Sequence, residues 1–408
     1  MGMWRCDPAT RIVLAALAGL VAAAAGWPLL GLLFAIPWRP RALLAATALL
    51  AAAWGGMRAA DLDHRALRPG AVEAVVVVTA APNGDRAVAR VPSAGEDVLL
   101  VARGERPVMG GIYRAHGRLE PPDAAVRGYY ATQGIHLELR ASRIAMLGRR
   151  GGWWSLVDRM HGAALDGLAA GRDPSPRRAL VAGVTLGDTS GMRLSDREAF
   201  RSSGLYHLVA VSGQNVALVV VFALACLALF GVIGVPARLA AIALTLVYVL
   251  VTGAGPSIVR AGVAGGLVSI AWLASRPVAR WHLVACGAVA VLALNPLDLL
   301  NPGFQLSFAA VCAIFLVAPR LSGLLGQAAA VSLACTLATT PIAWWHFGRL
   351  APLSVPANLL ALPAVAPLLV SGLTAIVLAA VWAPLAAPPL WLSDVLAGYL
   401  LWVAHLCS

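Results

Sequence analysis

Charged residues are spread very unevenly along this chain, and their distribution limits what it can fold into. Residues 1–58 contain five arginines and one acid, and residues 206–408 contain six arginines and two aspartates. The stretch between them contains 20 arginines and 16 acids. Two long apolar regions therefore flank one polar region, which is typical of a membrane protein with a domain outside the bilayer.

The composition excludes an ordinary soluble enzyme and a disordered chain. Hydrophobic residues make up 60% of the chain and charged residues 12%, whereas soluble domains are about 25% charged. A disordered chain does not carry so much apolar surface. The six cysteines show no metal-binding spacing, so we interpret them as core residues. HExxH and CxxC motifs and carboxylate pairs are missing from the sequence, so we expect no catalytic residue, metal or cofactor.

The apolar runs predict a polytopic α-helical membrane protein with about 10–11 membrane segments. Residues 1–58 form the N-terminal membrane part. Its apolar run is broken at Gly26–Pro28, so three alternatives stay open there: a kinked span, a hairpin or a signal peptide. Residues 207–408 form the main bundle. Its block 352–382 contains four prolines and is predicted to be broken or re-entrant. The eight runs of the bundle lie near 208–233, 237–253, 257–275, 281–297, 303–319, 323–345, 352–382 and 385–406.

Residues 59–150 predict a small β domain, for which we choose an OB-like barrel. Five short strand-like stretches occur there between glycines and prolines, which favours a small barrel or sandwich. Three tyrosines, Tyr113, Tyr129 and Tyr130, either stack on nucleic-acid bases or pack in the core. The strand-like stretches lie near 72–80, 87–91, 98–102, 112–119 and 135–144.

Residues 151–206 read as a linker with short helices that precedes the bundle. The helix near 153–170 lies either in the membrane interface or against the barrel. Gly187 and Asp188 predict a turn, where Asp188 either caps a helix or orients a group at the entrance. One face of the first helix is predicted to carry Trp153, Leu156, Val157, Met160, Ala164 and Leu168, with Asp158, Arg159, His161 and Asp166 off it.

Arginines in the short loops of the membrane parts predict the orientation of the chain. Positions 39, 41, 238, 276, 280 and 320 all fall on one side of the predicted spans. By the positive-inside rule that side is the cytoplasm. The β domain and the C-terminus are then predicted on the extracytoplasmic side of the cytoplasmic membrane.

Several polar residues lie inside the predicted spans, where they are costly. The segment HLVAVSGQNVALVV, residues 207–220, opens the first span of the bundle. Its polar side chains either line a transport path or join helices by hydrogen bonds. These candidates are His207, Ser212, Gly213, Gln214 and Asn215.

Arg260 is the charged residue that most needs a partner, because it lies four residues into an apolar run. It must reach the interface, pair with an acid such as Asp298, or contact an anionic substrate. Gln305 and Ser307 lie early in a later span. We add all three residues to the candidate substrate path.

Six motifs in order give the chain a resemblance to the ComEC family of competence proteins, over roughly residues 40–370. The resemblance implies an OB-like domain followed by a channel for single-stranded DNA. The position at which family members often carry a histidine is Asn215 here, and the metallo-β-lactamase-like domain that follows the last span in many members is absent from this sequence. The motifs are RGYYATQGIHLELRA, ALVAGVTLGDTSG, HLVAVSGQNVALVV, GPSIVRAG, NPGFQLSFAA and TPIAWWHFGRLAPLSVPANLLALP.

The resemblance also implies partners: single-stranded DNA, the lipid bilayer, a cytoplasmic ATP-driven motor, an external DNA receptor, a separate metallo-hydrolase subunit and a second copy of the chain. The sequence has no Gly-rich phosphate loop with lysine that would make it its own motor. Three alternatives stay open: a transporter of another anion, a relative that transports nothing, and an intramembrane hydrolase that uses Ser212 with His207.

Overall fold

A membrane-type helical bundle and a closed β-barrel make up the chain. A computed structural model describes residues 8–24, 41–63, 65–102, 107–171, 173–209, 213–253, 258–263, 265–266 and 280–408. The predicted fold class, a helical membrane protein with a small inserted barrel, is confirmed.

Two helices, α1 (Pro8–Ala24) and α2 (Arg41–Leu62), lie at the start of the described chain and pack against each other. They approach closely at Gly19, where an added Cβ would lie 2.1 Å from the carbonyl oxygen of Ala48. Helix α2 is joined to the bundle because the indole nitrogen of Trp54 donates to the carbonyl of Ala293 at 2.7 Å.

Five strands close into a barrel in the order β1-β2-β3-β5-β4. Strands β3 and β5 are parallel, with Leu99 opposite Glu138, and the other pairs are antiparallel. This Greek-key order agrees with the OB-like prediction. A short helix, α3 (Ala124–Ala131), connects β4 to β5. The strands are β1 (Gly70–Val78), β2 (Arg86–Val91), β3 (Glu96–Ala102), β4 (Gly111–Glu120) and β5 (Glu138–Arg149).

Alternating small and branched side chains fill the barrel, as a closed sheet requires. Val76, Ala89, Leu100 and Ala115 are fully buried there. Tyr113 also lies in this core, and its hydroxyl accepts a hydrogen bond from the backbone N–H of Val108 at 3.0 Å.

Four short helices connect the barrel to the bundle: α4 (Trp154–Ala169), α5 (Pro176–Leu186), α6 (Leu194–Ser202) and α7 (Tyr206–Val209). The predicted face of the first of these is wrong in part. Leu156 and Met160 are exposed, whereas Asp158 and His161 are buried. Both polar residues have partners: Asp158 binds Arg150, and Nδ1 of His161 lies 2.7 Å from the carbonyl oxygen of Val251.

Four helices in the described part of the chain are long and apolar enough to cross a membrane, or five if one bent pair counts as a span. Three shorter apolar helices lie at Ile12–Val21, Gly213–Leu229 and Arg280–Leu294. The bundle helices are α8 (Gly213–Leu229), α9 (Gly234–Val251), α10 (Arg280–Leu294), α11 (Pro302–Leu316), α12 (Ala318–Leu325), α13 (Gln327–Phe347), α14 (Ser354–Val381) and α15 (Ala387–Leu406).

The prediction of a broken segment at 352–382 is wrong, since α14 is one helix of 28 residues with Pro363 and Pro367 inside it. Proline lacks the N–H that would bond the carbonyl four residues earlier, which for Pro363 is that of Leu359. Tyr399 of α15 donates to the carbonyl of Leu360 at 2.9 Å, close to the first proline. The predicted single span 303–319 instead bends by 60° between α11 and α12, where Pro319 begins the new helix.

The buried pair Arg150–Asp158 yields the first prediction. Both nitrogen–oxygen distances are 2.6 Å, and the Asp158 side chain is 2% exposed. Asp158→Ala leaves a buried arginine without its partner, so we expect a loss of about 3–5 kcal/mol in unfolding free energy. Thermal unfolding of the purified protein in detergent measures it.

The matched control is Glu120→Ala, which removes the exposed pair between Arg118 and Glu120. Exposed pairs contribute about 0–1 kcal/mol. Equal losses in the two variants would contradict the first prediction.

Candidate functional site

The polar segment at the start of α8 joins helices in this structure. Asn215 is 1% exposed, and its side-chain amide donates to the carbonyl of Val184 at 2.9 Å. The hydroxyl of Tyr248 donates to the next carbonyl, that of Thr185, at 2.9 Å. Both carbonyls belong to the last turn of α5, where a helix leaves its C=O groups unpaired. Tyr248 was not among the predicted site residues, because a tyrosine in an apolar span carries no signal of its own.

The other predicted residues of this segment lie in different surroundings. His207 is exposed, with Nδ1 3.0 Å from the carbonyl oxygen of Gly204. Gly213 and Gln214 are exposed at the start of α8, and Ser212 lies outside the described residues. His207, Gly213 and Gln214 are thus exposed, whereas Asn215 is buried.

Gly187 and Asp188 form the predicted turn after α5. Gly187 ends the helix at a φ of 74°, a conformation that favours glycine. The carboxylate of Asp188 accepts a hydrogen bond from the N–H of Ser190 at 2.8 Å. The next residue, Thr189, donates to the side chain of Asn83 in the barrel at 2.8 Å. Asp188 thus stabilises a turn that contacts the barrel.

Arg260 has the most unusual environment of the predicted residues. It is 9% exposed, and its Nε and Nη1 have no hydrogen-bond partner among the described residues. Among the described residues, no acid lies within 4.0 Å of the Arg260 guanidinium. The pair with Asp298, one of the three predicted alternatives, is therefore not formed. Burying an unpaired charge costs roughly several kcal/mol.

The guanidinium of Arg260 lies at the N-terminus of α11. A Cβ added to Gly303 would be 2.7 Å from Nη2 of Arg260, so glycine leaves the room that the side chain occupies. Helix N-termini carry a partial positive charge and attract anions. A cation placed there is destabilised, and a bound anion would compensate both the buried charge and the helix end.

Asp298 is the acid whose charge acts on Arg260, although the two do not form an ion pair. It lies in the 3-10 turn Pro296–Leu300, where burial raises the pKa of its carboxyl to about 6 against the opposing effect of Arg260. Its Oδ1 accepts a hydrogen bond from Asn295 at 3.3 Å. Above about pH 6 this carboxyl is mostly ionised, so it attracts Arg260 from beyond ion-pair distance without giving the guanidinium a hydrogen-bond partner.

Thr132 makes three hydrogen bonds, and two of them connect the barrel to this corner. Its carbonyl accepts from Asn295 at 2.7 Å, its hydroxyl accepts from Asn301 at 3.1 Å, and that hydroxyl donates to the carbonyl of Tyr129 at 2.7 Å. Asn301 also caps α11, because its Oδ1 accepts the N–H of Gly303 at 2.8 Å. These residues were not predicted, although Asn-Pro-Gly before an apolar run is a typical helix start.

Gln305 and Ser307 lie on the first turns of α11. Gln305 donates to the carbonyl of Leu299 at 3.0 Å, and its Oε1 is 2.9 Å from Nε2 of His346. This contact joins α11 to α13, whereas Ser307 is exposed. Gln305 is therefore close to the Arg260 corner, and His346 is a neighbour that the sequence did not reveal.

The three tyrosines differ in exposure, and this decides which of them reaches a ligand. Tyr113 is 5% exposed inside the barrel. Tyr130 packs against the outside of the barrel, on Leu99 and Val101. Tyr129 is 37% exposed, with its ring centroid 5.2 Å from that of Tyr130. Of the three, Tyr129 alone presents a ring to open space.

A cavity of about 740 Å³ lies between α2, α3, the 3-10 turn and the end of α13. Its size is in the range of about 300–1,000 Å³ that is usual for ligand sites. Tyr129, Thr132, Pro302 and His346 are among its lining residues. The cavity therefore adjoins the same corner that holds Arg260.

The sequence of the helical part of the chain matches the model of a protein family. The Competence protein family matches residues 184–408, which is more than half of the chain. The chain belongs to this family. The match begins near the end of α5 and includes Asn215, Arg260 and the capped start of α11, and it confirms the resemblance to ComEC competence proteins.

Two relatives are similar over shorter stretches. The chain is 29% identical to ComE operon protein 3 of Bacillus subtilis (strain 168) over 193 residues, 47% of this chain and 25% of that protein. It is 28% identical to the Uncharacterized protein YcaI of Escherichia coli (strain K12) over 149 residues, 35% of this chain and 20% of that protein. The chain thus matches a quarter or less of each relative's length. No solved structure matches it.

The raised pKa of Asp298 yields the second prediction. Its carboxyl holds a proton more tightly in the folded chain, so its contribution to stability is full below about pH 4 and falls as the pH rises through about 6. Asp298→Asn keeps the neutral form, so we expect it to unfold about 1–2 kcal/mol less readily than the wild type at pH 7.5.

Thermal unfolding in detergent between pH 4 and pH 8 measures this difference. At pH 4 the two proteins are expected to be equally stable, which serves as the internal control. A constant difference across the whole range would contradict the assignment of the titration to Asp298.

Proposed function

We propose that this chain acts in the uptake of DNA and that single-stranded DNA crosses the membrane along the helices of residues 207–408. The observation that carries the proposal is the buried guanidinium of Arg260, unpartnered at Nε and Nη1 among the described residues and placed at a helix N-terminus. A phosphodiester is the anion that every nucleotide of such a strand supplies. Arginine donates charge-assisted hydrogen bonds to phosphate oxygens, and these two nitrogens are available for them.

Membership of the Competence protein family supports the same substrate, because the family match contains Arg260. The relative from Bacillus subtilis is named for a competence operon. The net charge of residues 59–205 is only +4, from 20 arginines and 16 acids. Long-range attraction by the barrel domain is thus modest, and a specific contact such as Arg260 has a correspondingly larger role.

The proposal includes a topology and partners. Residues 1–58 and 207–408 cross the cytoplasmic membrane, residues 59–150 form the extracytoplasmic barrel domain, and residues 151–206 connect the two. An external DNA receptor delivers the strand, a cytoplasmic ATP-driven motor pulls it, and a separate metallo-hydrolase subunit removes the other strand. Association of two or more copies of the chain is part of the same proposal.

Deletion of the gene in its host tests the function directly. Labelled DNA should no longer reach the cytoplasm of the deletion strain, and the wild-type gene should restore it. Normal uptake in the deletion strain would overturn the proposal.

Arg260→Gln yields the third prediction. It removes the buried charge, so we expect at least a tenfold loss of uptake, roughly, together with unchanged or higher thermal stability. A residue with a purely structural role would lose stability instead. Arg320→Gln, at an exposed arginine of α12, is the matched control and should keep normal uptake. Equal uptake by the two variants would contradict the role of Arg260.

A further inference from the structure

The cavity beside Arg260 is mostly apolar, in contrast to the charged guanidinium. Ala59 and Ala60 of α2, Leu297 and Leu300 of the 3-10 turn, and Pro302 give it mostly apolar walls. Apolar walls with few polar groups suit a flat organic ring and not a hydrated phosphate.

Charged groups at the edge of the cavity are already paired with one another. Asp63 and Arg65 form an ion pair at 2.8 Å. His136 places Nε2 3.0 Å from the carbonyl oxygen of Leu62. These contacts leave little net charge to attract a phosphate into the cavity.

Tyr129 supplies an aromatic surface in this cavity. Tyr130 supports the ring edge-on, with an angle of 72° between the two ring planes. The hydrogen bond from Thr132 to the Tyr129 carbonyl, and those from Asn295 and Asn301 to Thr132, fix this end of α3 against α11. A ring held in this way loses little conformational entropy when a ligand stacks on it.

The ring and the arginine lie near enough to act on one ligand. Tyr129 and Pro302 both line the cavity, and the next residue, Gly303, lies against Nη2 of Arg260. Partial burial raises the pKa of the Tyr129 phenol, which is neutral near pH 7 in any case and does not repel a phosphate. One part of a bound DNA strand thus meets the ring of Tyr129, and the part next to it meets the guanidinium of Arg260.

We infer that this cavity, defined as the Tyr129 cavity, takes a nucleobase of the single strand, stacked on Tyr129, while the adjoining phosphodiester contacts Arg260. Stacking on an aromatic ring tolerates every base, because each base has a π-face. The site therefore holds a strand without reading its sequence. This inference rests on the proposed function.

The test compares two strands of equal charge on the purified full chain in detergent: a fluorescently labelled oligothymidylate and a strand of the same length built from abasic nucleotides. Contacts to phosphates are common to both, so a difference in affinity reports the base. We expect the wild type to bind the oligothymidylate about tenfold more tightly. Tyr129→Ala should remove this difference and leave abasic binding unchanged, and Tyr129→Phe, which keeps the ring, should retain it.

Gly128 offers a second variant and the fourth prediction. It lines the cavity, and an added Cβ there would meet no atom within 4 Å. Gly128→Leu should place an apolar side chain in the cavity, lower oligothymidylate binding about tenfold and leave abasic binding unchanged. Gly148 likewise faces open space but lies on β5, away from the cavity, so Gly148→Leu is the matched control.

The outcomes separate the two proposals. Equal affinity of the wild type for both strands, which an acyl chain as the natural occupant would also give, overturns the inference and leaves the proposed function standing. Equal weakening of both strands by Tyr129→Ala, or no effect of Gly128→Leu, overturns it as well. If the wild type binds neither strand, the proposed function fails and the inference fails with it.

Discussion

The hydrogen bonds of Thr132 hold the barrel against the helical bundle, and the geometry of the candidate site depends on them. One residue at the end of α3 accepts from Asn295 and Asn301, which flank the 3-10 turn before α11. The same Asn301 caps α11, so the helix start and the barrel are positioned together. Groups buried in such a junction must be paired, because an unpaired polar group is costly. That rule makes the unpaired nitrogens of Arg260 conspicuous.

Much of the fold was predictable because it follows from periodicity and turn chemistry. The segregation of charge indicated two apolar parts around a polar insert, and the five strand-like stretches each correspond to a strand of the barrel, with shifted ends. Two features were not predictable in this way. The prolines of 352–382 do not break α14, since packing in the bundle overrides local preference. The face of α4 was misjudged because Asp158 and His161 are buried with partners distant in sequence.

The sequence predicted Arg260, Tyr129 and Gln305 as separate candidates, but it did not predict how they are arranged. Arg260 is recognisable because an arginine in an apolar run demands an explanation. The residues around it give no such signal: Gly303, Thr132 and His346 gain their significance from contacts between segments far apart in the chain. Asn215 was predicted as a candidate, but in the structure its amide joins α8 to α5.

The closure of the barrel has a consequence for how other molecules attach to it. Each of the five strands pairs with two neighbours, but β1 is paired with β2 only at Val77 and Val78, and β5 with β3 only from Glu138 to Ala141. A partner protein or a second copy of the chain that adds a strand, as happens with open sheets, therefore has only these partly unpaired stretches to bind. Assembly through the rest of the barrel must use its loops and outward side chains, which can change in sequence while the hydrogen-bonded scaffold stays the same.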